Sequence, residues 1–95
     1  MRFDWDRRKA ALNERKHGIS FEEAQTAFFD EEALIIADPD HAGDEQRFIL
    51  LGAAATNKLI VVCHCYRGAD DVIRLISARR ANRRELVTYR ERSSL

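Results

Sequence analysis

Hydrophobic positions change their spacing at Leu34, from clusters three or four residues apart to short apolar runs, and the change divides the chain into two kinds of element. Phe3 to Trp5 reads as a short strand, and Asp6 to Lys16, free of Gly and Pro and rich in Ala, Leu, Arg and Lys, predicts a helix. His17-Gly18 supplies a basic last turn and a Gly suited to the left-handed position after it. Ser20 and Glu23 have capping-box spacing, Ile19 can staple onto Ala24, and Phe21, Ala24 and Phe28 fall on one face of a short second helix. Two helices therefore meet at a tight corner.

The apolar runs beyond it predict four strands: Leu34 to Ala37, Phe48 to Leu51, Leu59 to Tyr66 and Val72 to Ser77. Their separators, 38–43, 52–58 and 67–71, are rich in turn residues and too short for crossover helices, so the strands form an antiparallel meander. Asn82 with Glu85 repeats the cap spacing, Ala81 can staple to Leu86, and a last helix runs to about Arg92. The fold class is α+β: two N-terminal helices, a four-stranded antiparallel sheet with a short N-terminal strand as a candidate addition, and a C-terminal helix.

Ninety-five residues at 45% hydrophobic content make residues 1–95 a single domain with a small core. The longest apolar stretch, Leu59 to Cys63, is far below the ~20 residues of a membrane span, and no apolar run follows the first basic residue, so a cytoplasmic location is expected. Cys63 and Cys65 point the same way in one strand and are expected to stay reduced.

Zero net charge conceals a segregation. Residues 1–20 carry +3, residues 21–45 carry −9 with no basic residue at all, and residues 46–95 carry +6. If the fold keeps them apart, the basic segments can meet phosphates; if they interleave, they form an ordinary solvated shell.

Alternation in the third run puts Ile60, Val62, His64 and Tyr66 on one face and Leu59, Val61, Cys63 and Cys65 on the other. His64 and the cysteines then diverge, which argues against a shared metal site; His17 and His41 lie elsewhere, and no metal or cofactor is expected. In the fourth run Arg74, Ile76 and Ala78 share one face, and Ile73, Leu75, Ser77 and Arg79 the other. A hairpin whose paired residue numbers sum to 138 sets Arg74 opposite His64, whereas a sum of 137 sets Ile73 there. The first register builds a phosphate cradle of imidazole and guanidinium, with Arg47 a candidate neighbour. Residues 77–84 hold Arg79, Arg80, Arg83 and Arg84 at the start of the last helix, where cations are disfavoured by a few tenths of a kcal/mol unless an anion or acidic partner is present. On the first helix Lys9, Asn13, Lys16 and His17 share one side, the ordinary reading of which is a solvated face.

Phe3-Asp4-Trp5-Asp6, then Lys9, Asn13, Lys16-His17-Gly18-Ile19 and Phe21-Glu22-Glu23-Ala24, then Asp38-Pro39-Asp40-His41, Arg47 with Gly52, His64 with Arg67-Gly68, and Ile76-Ser77-Ala78-Arg79 with Ala81, Glu85 and Tyr89 form an ordered set across nearly the whole chain. It resembles the BrnT toxins of type II toxin–antitoxin systems. The turn holding Ala69-Asp70-Asp71 is about two residues longer than the family pattern, an even insertion that leaves each strand residue on its face.

The resemblance implies a RelE-like fold and an endoribonuclease that works without the ribosome. It also implies neutralisation by a BrnA antitoxin with a ribbon-helix-helix DNA-binding region, in a hetero-oligomer that represses its own promoter through operator DNA. Such an enzyme needs a base, an acid and cations around a phosphate attacked by the neighbouring 2′-hydroxyl, and no metal. His64 is then the candidate base or acid, and Arg47, Arg74, Arg79 and Arg80 are the electrostatic candidates. Arg67, Lys16, His17, Arg83 and Tyr89 are candidates for holding RNA. Two other readings remain open: a catalytically silent partner-binding module of the same fold, and an unrelated small enzyme or structural subunit.

Overall fold

The structure, a computed structural model, describes residues 1–39, 45–68 and 71–93. Its elements run β1 (Arg2–Asp4), α1 (Arg7–His17), α2 (Phe21–Thr26) with a 3-10 turn (Ala27–Phe29), β2 (Leu34–Ala37), β3 (Phe48–Ala53), β4 (Leu59–Arg67), β5 (Val72–Arg80) and α3 (Arg83–Ser93). The helix ends obey their caps. Asp6 accepts from the Arg8 and Lys9 amides at 2.8 and 3.1 Å, and Gly18, at φ 73°, donates to Glu14 O. Ser20 Oγ accepts from the Glu23 amide, and Asn82 and Glu85 exchange two 2.8 Å bonds in a complete capping box.

β2 to β5 form the expected antiparallel meander. β1 adds a fifth strand, parallel to β5, so the sheet is mixed and ordered β1-β5-β4-β3-β2. A parallel neighbour needs a long connection, and everything between Asp4 and Val72 provides it. The first strand lies one residue earlier than expected, and β5 reaches Arg80, so Arg79 and Arg80 belong to the strand rather than to a linker.

α1 and α2 pack on one face. Ile19, Phe21, Ala24 and Ala27 meet Leu50, Ile60, Val62, Ile73, Leu75 and Ala78, all nearly inaccessible to solvent. Gly52 lets the 3-10 turn approach β3: a Cβ there would lie 3.0 Å from Ala33 Cβ and 3.2 Å from Ala27 O. Asn13 is buried, not part of a solvated face. Its amide nitrogen donates to Ile19 O and Ala78 O at 3.0 and 2.9 Å, and its oxygen accepts from the Ala78 amide at 3.0 Å. One side chain thus continues the β5 edge beyond β1 and ties down the helix corner.

The β4–β5 register is neither of those anticipated. Cys63 faces Ser77 but His64 faces Leu75, so Ile76 is an extra residue at a bulge. The bulge inverts the phase of half of β5, because side chains alternate with period two. Ile73, Leu75 and Ala78 all enter the core, and Arg74 lies opposite Cys65, on the other face from His64.

Candidate nucleic-acid interface

The face turned away from α1 and α2 is built in cross-strand rows. Leu34, Leu51, Val61 and Arg79 align in one, Ile36, Ile49, Cys63 and Ser77 in the next, and Cys65 with Arg74 in a third, beside Arg47 where the chain enters β3. Apolar residues therefore dominate one end of this face, with Arg79 at its margin, and cations cluster at the other.

At the cationic end Lys9, Arg47, Arg67 and Arg74 line a small cleft of about 50 Å³ together with Asp6, Glu45, Cys65, Leu75 and Ile76. Two of the guanidiniums are partly occupied: Arg67 pairs with Glu45 at 3.0 Å and Arg74 with Asp4 at 3.2 Å, both in solvent-exposed geometry where such pairs are worth under about 1 kcal/mol and yield readily to a better anion. Arg47 keeps its Nε without a hydrogen-bond partner among the described residues. The Cys65 thiol donates to Glu45 Oε1 at 3.2 Å. That bond, aided by Arg67, holds the Glu45 carboxyl below its usual range, while burial and then Glu45 push the Cys65 thiol up. The cleft thus presents two ionised carboxylates, Asp6 and Glu45, and a neutral thiol among four cations.

A second groove, lined by Lys9, Leu12, Asn13, Lys16, His17, Ile76 and Ser77, shares Lys9 and Ile76 with the cleft. Lys16 and His17 therefore extend one basic track along the seam between α1 and β5.

The remaining candidates lie elsewhere. Arg79, at the far end of the same face, is clasped by both Glu85 oxygens at 2.9 and 2.8 Å, which raises its own pKa and lowers that of Glu85. Arg80, the last residue of β5, and Arg83, the first of α3, line one groove with Asn57 and Asn82. The Tyr89 hydroxyl donates to Asp30 Oδ2 at 2.6 Å, and burial with that carboxylate pushes its pKa up to about 12, so it anchors α3.

His64 is fully buried on the core face. Its ring lies against Phe28 and Phe48, with Tyr66 edge-on at 5.4 Å; Nδ1 is 3.1 Å from Val62 O and Nε2 has no partner among the described residues. Desolvation lowers its pKa, so it is neutral when folded. The unfolded imidazole, at 6.5, takes up a proton first. Stability is therefore complete above pH 6.5 and is lost as pH falls from there toward the lower folded value, by up to about 1.4 kcal/mol per pH unit. Urea midpoints at pH 7.5 and 5.5 check this; a His64→Gln protein should show a flatter profile.

Sequence reasoning thus placed Arg47, Arg67 and Arg74 in one site and attached Lys16 and His17 to it. It missed Glu45 and Cys65 as cleft residues and left Lys9 on a solvated face. Alternation had put Cys65 opposite His64 in direction; joining Arg74 to it required the bulge. The 69–70 stretch of the longer turn, and His41, lie outside the described residues. Among the described residues no three His, Cys, Asp or Glu side chains gather into a metal-binding group, and no helix is long and apolar enough to cross a membrane.

Cations drawn from a helix, a strand entrance and two strands onto one cleft define a small α+β protein equipped for a polyanion. A sequence model described as "Ribonuclease toxin, BrnT, of type II toxin-antitoxin system" matches residues 5–85, and the chain belongs to that family. The 1.1 Å crystal structure of the Brucella abortus ribonuclease toxin BrnT shares the fold, with TM-score 0.66 and 22% identity over 87% of this chain and 99% of that one. No curated protein matches.

Proposed function

We propose that this member of the ribonuclease-toxin family is a RelE-like, ribosome-independent endoribonuclease in which residues 1–95 act as one cytoplasmic toxin domain. The observation that carries the reading is the convergence of Lys9, Arg47, Arg67 and Arg74 on one cleft. A phosphodiester carries one negative charge and the phosphorane formed from it carries two, so fixed cations favour the transition state over the substrate. Of the two carboxylates beside them Asp6 is engaged in capping α1, and Glu45 accepts the proton of the attacking 2′-hydroxyl. The 2′-oxygen bonds to phosphorus as the bond to the 5′-oxygen breaks, and the leaving oxygen takes a proton from water, which gives a 2′,3′-cyclic phosphate and a 5′-hydroxyl. Lys16 and His17 hold the flanking strand, and backbone phosphates rather than bases supply most of the affinity. His64, shielded from solvent, holds the sheet in register with its aromatic neighbours instead of moving protons. Arg79 acts through Glu85 on α3, and Arg80, Arg83 and Tyr89 lie outside the cleft chemistry.

The cations do the work a metal would otherwise do, so cleavage is metal-independent. The partner is a BrnA-like antitoxin with a ribbon-helix-helix region, which neutralises the toxin in a hetero-oligomer and represses the shared promoter by binding operator DNA. The test is incubation of the purified toxin with single-stranded RNA in EDTA and without ribosomes. Cyclic-phosphate ends are expected; intact RNA from a protein that still binds its antitoxin would establish a catalytically silent binding module instead.

A further inference from the structure

At the apolar end of the arginine-bearing face Leu51 and Val61 are buried, but among the described residues nothing packs over Ile36. Leu34, Ile36, Ile49, Leu51 and Val61 line a groove of about 230 Å³ with Arg79, Glu85 and Thr88 at its rim. Ile36 is 59% exposed, on a strand whose outer edge pairs with no other strand of the sheet. An exposed apolar edge strand of this kind invites association unless a partner takes it. The groove suits no nucleic acid: among its described lining residues the cation is Arg79, already neutralised by both oxygens of Glu85.

Its neighbours say what covers it. The Ile36–Ile49–Cys63 row lies directly beside the row of Arg47, Cys65 and Arg74 on the same face, with no described element between them. A segment seated in the groove and running on along the face therefore arrives over the cleft. To be stable there it must bring apolar side chains to the first part and carboxylates to the second, since the four cations of the cleft would otherwise be buried with fewer described carboxylates, Asp4, Asp6 and Glu45, to answer them. A type II toxin has a protein antitoxin, and a segment of that chemistry both anchors the antitoxin and occupies the phosphate site.

We propose that the antitoxin docks across this face, inserting apolar side chains between β2, β3, β4 and α3 and laying acidic side chains over Arg47, Arg67 and Arg74, so that antitoxin and RNA exclude one another. The exclusion rests on the ribonuclease reading of the cleft; the docking does not.

The test uses the full toxin and its purified antitoxin. Ile36→Glu places a charge in the groove at an exposed site, and Ile35→Glu, on the opposite face of the same strand and 49% exposed, is its control. Ile36→Glu is expected to weaken antitoxin binding by about 30-fold or more, and Ile35→Glu by less than about 3-fold. Thr88→Arg, at an exposed helix position on the groove rim, is expected to weaken it about 10-fold without threatening the fold. Cleavage of RNA by each variant should stay at the wild-type rate while added antitoxin no longer stops it in Ile36→Glu. Wild-type antitoxin affinity in both Ile36→Glu and Thr88→Arg overturns the docking, as does equal loss in Ile35→Glu and Ile36→Glu. A toxin dimer that Ile36→Glu dissociates overturns it too, by assigning the face to a second copy. A 2′-O-methyl RNA oligonucleotide should weaken antitoxin binding to the wild type. If it does not, while the groove variants behave as expected, the shared use of the arginines and the cleft reading fail and the groove stands.

Discussion

Arg74→Ala is expected to cut RNA cleavage by roughly a hundred- to a thousand-fold, the usual loss when one fixed donor to a developing phosphorane charge is removed. Among the described residues Arg74 pairs with exposed Asp4, so the fold should lose less than about 1 kcal/mol. Arg74→Lys should recover only part of the rate, because an ammonium restores the charge but not the two-pronged geometry. Arg79→Ala supplies the contrast: it breaks a bidentate contact to the α3 cap, so its main effect should fall on melting temperature. Single-turnover cleavage of a labelled RNA, read beside thermal melts, separates these outcomes. A folded Arg79→Ala protein without activity, next to an active Arg74→Ala protein, would move the chemistry to the α3 end of the face.

Asn13→Ala should be the most damaging single change to the fold outside the apolar core. It leaves Ile19 O, Ala78 O and the Ala78 amide buried without their partner, at roughly 3 kcal/mol in total. For a chain of this size that corresponds to a melting temperature lower by about 10–20 °C. Hydrogen exchange at the Ala78 amide should accelerate more than at neighbouring β5 amides, since that bond is the one removed. A variant melting within a few degrees of wild type would mean that water replaces Asn13 at the β5 edge. The same loss would loosen the seam that carries Lys9, Lys16 and His17, so RNA affinity should fall with stability.

Much of this was legible in the residues. Ser20 with Glu23 and Asn82 with Glu85 announced two helix starts, Gly18 ended the first helix, and turn-rich separators forced an antiparallel meander. These signals are local: each is a contact between residues two to four apart, and its energy does not depend on what the rest of the chain does. The acidic middle and basic flanks were equally visible, and among the described residues they meet at Arg67–Glu45 and Lys58–Glu23. Asn13 and His64 were visible as residue types but not as buried ones. An asparagine on a polar helix looks solvated until a strand edge is placed against it, and a histidine between apolar neighbours looks reactive until aromatic rings close over it.

The elements, their caps and the supply of cations were thus decided along the chain itself. Which cations face one another was decided at Ile76. Strand alternation carries no memory of its partner's register, so one unpaired residue carries Arg74 from the histidine face to the cysteine face. No neighbour in sequence records that choice. It is made by the packing of Leu75 and Ala78 beneath the helices and by Asn13 fixing the β5 edge, contacts between segments up to 65 residues apart.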